Sequence, residues 1–204
     1  MVAEVFVEGG GNKNLDIKLR QAFGMLADRA GLRGRMPKFV ACGSRHEAYK
    51  DFVTALEHPE PGKTSLLLVD SEGPVSEESP WTHLGGREEG GWRQPPGATD
   101  GQCHFMVQAM ESWFLADIPA LRQYFGQDFK EKALPRGSIE AASKAAVIEG
   151  LTKAAKMTRK GGYDKGRDSF GILKTLDIAK VRAASPWADR FFTSLDKTTK
   201  GEEP

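Results

Sequence analysis

The stretch Ser65-Leu66-Leu67-Leu68-Val69-Asp70-Ser71-Glu72-Gly73 constrains the fold more than any other part of the chain. A short apolar run bounded this way predicts a strand buried on both faces, as in a parallel sheet, rather than an alternating, half-solvated one. The run ends in two carboxylates at i and i+2, which in a strand point to the same side. Two carboxylates on one side at the end of a buried strand repel each other unless a cation offsets them. A divalent ion such as Mg²⁺, which prefers hard oxygen ligands, would do so. The same residues also fit a plain solvated turn, with Ser71 and Gly73 making the bend.

The flanking pattern is that of alternating strands and helices. Val2 to Val7 predicts a first strand, ending at Glu8 and Gly9-Gly10-Gly11. Leu15, Leu19, Phe23, Leu26 and Ala30 mark one face of a helix that Gly31 stops. Lys38 to Cys42 predicts a second strand. Ser44 and Glu47 form a capping-box signature for a helix carrying Ala48, Phe52, Val53 and Leu56. With the Leu66 run as third strand, the order β-α-β-α-β predicts a parallel sheet. Gly73 to Gln102 is a Gly- and Pro-rich loop in which Trp81 and Trp92 act as pins to the body or as base-stacking surfaces. His104 to Val107 predicts a fourth strand, running into a helix with Met110, Trp113 and Phe114. Asp117 and Pro119 open a short helix that Gly126 ends, and Ser138 is read as the cap of an Ala-rich helix to about Ala155. Two helices finish the chain, one from about Phe170 to Leu176 and one opened by Ser185 and Pro186. Thr198 to Pro204 is read as a frayed tail. The expected fold class is α/β: a mainly parallel sheet flanked by helices over residues 1–120, with a long loop over 73–103 and a helical extension over 121–204.

Composition narrows the function classes. At 204 residues and 39% hydrophobic content, the chain has material for a substantial core. Its longest strongly apolar run is Leu66 to Val69, so neither a leader nor a membrane span is expected. Two cysteines, Cys42 and Cys103, make no disulfide framework and point to the reducing cytoplasm. The net charge of +1 hides an asymmetry. Residues 1–120 hold 12 Lys+Arg against 17 Asp+Glu, and residues 121–204 hold 17 against 11. An acidic half with clustered carboxylates and a basic half for phosphates would suit a metal-dependent enzyme acting on nucleic acid. The same +6 over the second half is also that of a solvated helix surface.

Four acids follow strand ends: Glu8 after the first, Asp70 and Glu72 after the third, Glu111 one turn beyond the fourth. Ligands of open α/β sheets bind beyond the C-terminal strand ends, so these acids are predicted to converge. Other combinations fail. Gly62-Lys63-Thr64 imitates the end of a phosphate-binding loop, but Glu57 stands where its first Gly belongs and a strand follows instead of preceding it. Cys42, His46, Cys103 and His104 have no zinc-site spacing, His83 is a lone loop histidine, and no Ser-His-Asp set stands out.

Glu8 followed by Gly9, with Asp70-x-Glu72 after the third strand, resembles the Toprim domain of topoisomerases, primases and OLD-family nucleases. Phe105 to Asp117 resembles the FE-x-W-x-L segment of RloB-like Toprim proteins. Over nearly its whole length the chain resembles the DUF4276 family. The matching pieces are Val7-Glu8-Gly9, Ala41-Cys42-Gly43-Ser44-Arg45, Leu68-Val69-Asp70-Ser71-Glu72-Gly73, Met110-Glu111-Ser112-Trp113 and Tyr163-Asp164-Lys165-Gly166. It departs from the Toprim pattern in having Asp70-x-Glu72 for Asp-x-Asp, which still supplies two oxygen ligands, and Asp16 as the nearest Asp after Glu8-Gly9, which weakens the case for a second metal site. The resemblance implies a Toprim-like nuclease that uses Mg²⁺ or Mn²⁺ to cut phosphodiester bonds of DNA or RNA. Its setting would be bacterial defence against phages and mobile elements, beside an ABC/SMC-like ATPase and away from membranes. Asp70, Glu72 and Glu8 would hold the metal, and Glu8, Glu111 and Lys165 would be catalytic. Lys144, Lys160, Lys165 and Arg167 would bind phosphate, Lys165 first because it sits in the turn-rich segment from Gly161 to Gly166. A catalytically weak Toprim-fold subunit that binds nucleic acid or regulates its ATPase is the alternative. Phosphoryl or nucleotidyl transfer on a small molecule or tRNA is a third.

Overall fold

The computed structural model describes residues 1–86 and 91–204; residues 87–90 of the long loop lie outside the described residues. Strands β1 (Val2–Val7), β2 (Lys38–Ala41), β3 (Lys63–Asp70) and β4 (Cys103–Met106) form one sheet in the order β2-β1-β3-β4. All three pairings are parallel, as the buried character of the Leu66 run demands. The register sets Val7 against Leu68 and Asp70 against Met106.

Helices cover both faces. On one face Val5, Val7, Leu66 and Leu68 meet α1 (Lys13–Ala27) through Leu19, Phe23 and Leu26. On the other, Phe6, Leu67, Val69 and Phe105 meet α2 (Arg45–Glu57) through Ala48 and Phe52. Ser44 caps α2 by accepting from the Glu47 amide at 3.1 Å. α1 ends at Ala27 and loosens into a wider turn, Asp28–Leu32, where Gly31 takes a φ of 87°. The loop after β3 has structure of its own. It holds α3 (Pro80–Gly85), and both tryptophans are anchors: Trp81 stacks on Phe52 at 6.1 Å, and Trp92 stacks on Tyr49 at 4.4 Å beneath the Arg45 guanidinium.

After β4 a 3₁₀ helix, Met110–Ala116, replaces the expected α-helix; it is followed by α4 (Ile118–Phe125), α5 (Lys144–Ala155), α6 (Lys165–Leu173), α7 (Ile178–Ala184) and α8 (Pro186–Lys200). Phe191, Phe192 and Leu195 of α8 enter the same buried cluster as β1 and α1. α8 also guards the edge of β4, where Arg190 donates to the carbonyls of Cys103, at 2.9 Å, and Asp100.

Several boundaries differ from expectation for identifiable reasons. Ser143, not Ser138, caps α5, accepting from Ala146 N at 3.2 Å. Residues 138–142 turn instead, because the Glu140 carboxylate is taken by the start of α8, where Ser185 Oγ and Trp187 N donate to it. α6 begins at Lys165 because Asp164 accepts from the Arg167 amide at 2.8 Å. α7 was not anticipated. Thr198 and Thr199 are buried, and α8 runs through them to Lys200 before Gly201 closes it with a φ of 87°.

Asp117 links the helical half. Its carboxylate accepts from Ala120 N at the start of α4, from Asp177 N at 2.9 Å and from Lys180 Nζ at 2.7 Å, the last two at the start of α7. Asp117→Ala removes a helix cap and two further charge-assisted bonds. It is expected to lower unfolding stability by about 2–3 kcal/mol in a denaturant titration, without changing the far-ultraviolet spectrum of the folded protein.

Candidate metal centre

The chain leaves β1 toward β2 on one side and leaves β3 toward β4 on the other, so the connections diverge between β1 and β3. The crevice beyond the carboxyl ends of such strands is where open α/β sheets hold ligands. Glu8 is the first residue past β1 and Asp70 the last of β3. Glu8 Oε2 accepts from Asp70 N at 3.0 Å, so the two strand ends are tied through the acid itself. One oxygen each from Glu8, Asp70 and Glu72 lie within 4.8 Å of one another.

Glu72 arrives by a different route from the pleat that its spacing suggested. The strand ends at Asp70, and Glu72 takes a left-handed φ of 58°, a costly conformation for a residue with a Cβ. Ser71 holds the turn: its amide donates to Met106 O at 3.1 Å, and its hydroxyl donates to Gly73 O and accepts from Gln108 N at 2.8 Å. Asp70 Oδ1 accepts from Met110 N at 2.9 Å, which orients the carboxylate. The glycine turn after β1 supports Glu8. Gly9 and Gly43 exchange backbone hydrogen bonds at 2.9 and 2.8 Å. Gly10, at φ 91°, passes so close to Asp16 that a Cβ there would sit 2.2 Å from its Oδ1, the atom that accepts from Gly11 N.

Lys144, the first residue of α5, supplies a counter-charge. Its Nζ stands 2.6 Å from Glu72 Oε1 and 3.2 Å from Asp70 Oδ2. Burial opposes its charge, yet the two acids beside it push its pKa up. Asp70 is 3% exposed. Burial first, and the charge of Glu8 second, raise its pKa to about 7 despite Lys144. Burial raises Glu8 as well, against the hydrogen bond from Asp70 N and the charge of Lys144.

Glu111 lies outside the set of three. Its side chain is fully buried; Oε1 accepts from Tyr163 OH at 2.9 Å and lies 3.6 Å from Lys165 Nζ. Oε2 has no hydrogen-bond partner among the described residues. Tyr163, whose hydroxyl also meets Ser169 Oγ at 2.8 Å, is a site residue that sequence reasoning missed. Its signals were its place just after Gly161 and Gly162 and its membership of the matching piece Tyr163-Asp164-Lys165-Gly166. Lys165 lines a cavity of about 290 Å³ together with Glu8, Asp70, Leu15, Ser169 and Phe170. Lys160 and Arg167 are engaged elsewhere. Lys160 Nζ sits 4.2 Å above the Tyr124 ring, and Arg167 grips the Asp168 carboxylate and Gly162 O. His83 Nε2 lies 3.2 Å from Ser71 O, and its ring meets Phe105 edge-on. Cys42 and Cys103 are free thiols.

A family model described as Domain of unknown function (DUF4276) matches residues 7–196. The chain belongs to the DUF4276 family. Searches of curated proteins and of solved structures return no match. In this DUF4276 chain the matched span takes in Glu8, Asp70, Glu72, Glu111, Lys144 and Lys165. Among the described residues no helix is long and apolar enough to cross a membrane. The donors, three carboxylates with no thiol or imidazole among them, fit a hard divalent cation such as Mg²⁺ or Mn²⁺.

The raised acids make metal-free stability pH-dependent. Folded Asp70 titrates near 7, above its ordinary value of 3.8, so the native state holds a proton that the unfolded chain releases in between. Stability is therefore expected to fall as pH rises from about 4 to about 7, with Glu8 adding in the same direction. Thermal scans of metal-free protein should show this fall, and Asp70→Asn should flatten it. Lys144→Met removes the ammonium that pairs with Asp70 and Glu72. Calorimetric titration should then show Mg²⁺ or Mn²⁺ binding more tightly than to the unsubstituted protein, by roughly tenfold.

Proposed function

We propose that the protein is a Toprim-like nuclease that hydrolyses phosphodiester bonds with the help of Mg²⁺ or Mn²⁺. The observation that carries this is the meeting of Glu8, Asp70 and Glu72 within 4.8 Å at the divergence point of a parallel sheet. A divalent ion held by these three would neutralise charge on the scissile phosphate and on its leaving oxygen. Water adds to phosphorus as the ester P–O bond breaks. Glu8, tied to Asp70 N at the strand ends and beside the place of the ion, is the acid positioned to take the proton of that water. Lys165, more than half exposed and held only at 3.6 Å by Glu111, is free to meet a phosphate oxygen. Glu111, fixed by Tyr163, positions Lys165 from behind. The proposed setting is bacterial defence against phages and mobile elements in the cytoplasm, with an ABC/SMC-like ATPase as partner; both come from the Toprim and DUF4276 resemblance.

One observation favours the non-catalytic alternative. Lys144 pairs with two of the three acids from within the chain and offsets part of their repulsion without a metal. In that case the protein is a nucleic-acid-binding or regulatory subunit of its ATPase.

Incubation of plasmid, single-stranded DNA and tRNA with Mg²⁺ or Mn²⁺, with and without the ATPase, separates the two. Cleavage should disappear in Asp70→Asn. Glu8→Gln should cut turnover by about 10²–10⁴-fold, the range of general-base catalysis, and change metal affinity far less. Undiminished cleavage by Asp70→Asn would refute the nuclease. Binding without any cleavage by the unsubstituted protein would make it the regulatory subunit.

A further inference from the structure

The basic residues of the second half of the chain are unevenly spread. Residues 152–160 hold Lys153, Lys156, Arg159 and Lys160 and no acid. Two of these have an ordinary explanation. Lys153 pairs with Glu149, and both Lys153 and Lys156 stand at the C-terminal end of α5, where the helix dipole favours cations. Arg159 has neither. It lies past the helix, exposed, with no ion pair among the described residues.

Arg159 and Lys160 line one wall of an open groove of about 710 Å³, whose other wall runs from Gln123 to Asp128. Asp128 also lines a second hollow, of about 420 Å³, together with Lys130 and Lys132, so the two hollows meet at this residue. Lys130 N donates to Ala154 O at 2.9 Å, which fixes the loop and its short 3₁₀ turn, Glu131–Ala133, beside the end of α5. Lys130 and Lys132 are exposed and, like Arg159, have no ion pair among the described residues. The neighbouring acids are occupied: Glu131 pairs with Arg122, Asp168 pairs with Arg167, and Asp164 caps α6. Three unpaired cations along two adjoining hollows repel one another, and a polyanion relieves that repulsion.

The strip leads toward the metal centre. Lys160 Nζ sits over the Tyr124 ring, Tyr124 OH donates to Asp168 Oδ1 at 3.0 Å, and Arg167 grips the same carboxylate. Asp168 is one turn along α6 from Lys165, which lines the cavity beside Glu8 and Asp70. We propose that this strip is the track by which a nucleic-acid strand reaches the acids, its phosphates meeting Lys130, Lys132 and Arg159 before the strand arrives at Lys165. A row of unpaired lysine and arginine binds such a strand by releasing the counterions condensed on it. Exposed Met157 lines the same groove and offers an adaptable apolar surface to a sugar or base. The proposal takes the metal centre from the nuclease reading and adds that the substrate is a polynucleotide held over several phosphates, not a mononucleotide.

The test follows the anisotropy of a fluorescent oligonucleotide, single-stranded and duplex, on the full chain with Ca²⁺ over a range of salt. The triple variant Lys130→Ala, Lys132→Ala, Arg159→Ala should bind about tenfold more weakly at low salt. Its slope of log affinity against log salt should shrink by about 2 for the single strand and about 3 for the duplex. A control variant, Lys18→Ala, Arg20→Ala, Lys197→Ala, removes the same charge from exposed positions on α1 and α8. It should weaken binding by less than about threefold, since charges distant from the track are screened. Asp128→Asn removes the unpaired acid where the hollows meet, and Asn accepts its left-handed φ of 67°. It should tighten binding about threefold, a gain that no folding defect imitates. Calorimetric Mn²⁺ binding should be unchanged in all three variants.

Equal losses in the strip and control variants, or no binding of either oligonucleotide, would overturn the track even if the protein cleaves. Polyglutamate displacing the strand as effectively as unlabelled oligonucleotide would make the strip a docking surface for an acidic protein and overturn it. Strip-dependent binding of phosphatidylserine vesicles in place of oligonucleotide would make it a membrane surface and overturn it as well. Strip-dependent binding of oligonucleotide with no cleavage in Mn²⁺ would uphold the track and remove hydrolysis instead.

Discussion

The structure depends on a repulsion. Three carboxylates are brought together at the end of a sheet whose interior is dry, and Asp70 is almost wholly out of water. Left alone, such a group expels its charge by taking up a proton. The chain meets the repulsion with oriented donors: Asp70 N on Glu8, Met110 N on Asp70, and the Lys144 ammonium across Asp70 and Glu72. These contacts moderate the conflict without removing it, since Asp70 still titrates near neutrality. The arrangement stays electrostatically unsatisfied inside a well-packed sheet, and its three oxygens are close enough to share one cation.

Much of this was legible in the sequence, and the parts that were not share a cause. The four strands, their parallel order, the caps at Ser44 and Ser185 and the convergence of Glu8 with Asp70 and Glu72 follow from apolar runs, capping residues and the behaviour of strand ends. These are local signals. Ser143 displaced Ser138 as a cap because Glu140 is claimed by α8, which begins 46 residues later in the chain, a partnership that no local pattern reveals. Lys144 reads as a phosphate-binding lysine until the fold sets it against Asp70 and Glu72 instead, and Tyr163 reads as a turn residue until it meets Glu111. The left-handed turn at Glu72 is a further case. The i, i+2 spacing pointed to the right cluster for a reason that the backbone does not use.

The two faces of the sheet divide the labour. The face under α2 and Trp81 is plain packing, built from Phe6, Leu67, Val69 and Phe105. The face under α1 is shared with α6 and α8, and it opens at its end onto the cavity beside the acids. Helix α6 belongs to both, since Ile172 and Leu173 are buried in the core while Lys165 and Gly166 edge the cavity. The same short helix therefore couples the integrity of the core to the shape of the site.

The acids and their internal counter-charge come from distant parts of the chain, with 72 and 74 residues separating Lys144 from Glu72 and Asp70. During synthesis, domains form from the N-terminal end onward. The segments that carry Glu8, Asp70 and Glu72 thus leave the ribosome before α5 exists. Throughout that interval Asp70 and Glu72 lack the Lys144 ammonium that the finished fold sets against both of them. The surroundings of these acids are therefore completed only when α5 docks, so the site is finished after the residues of the sheet have been made.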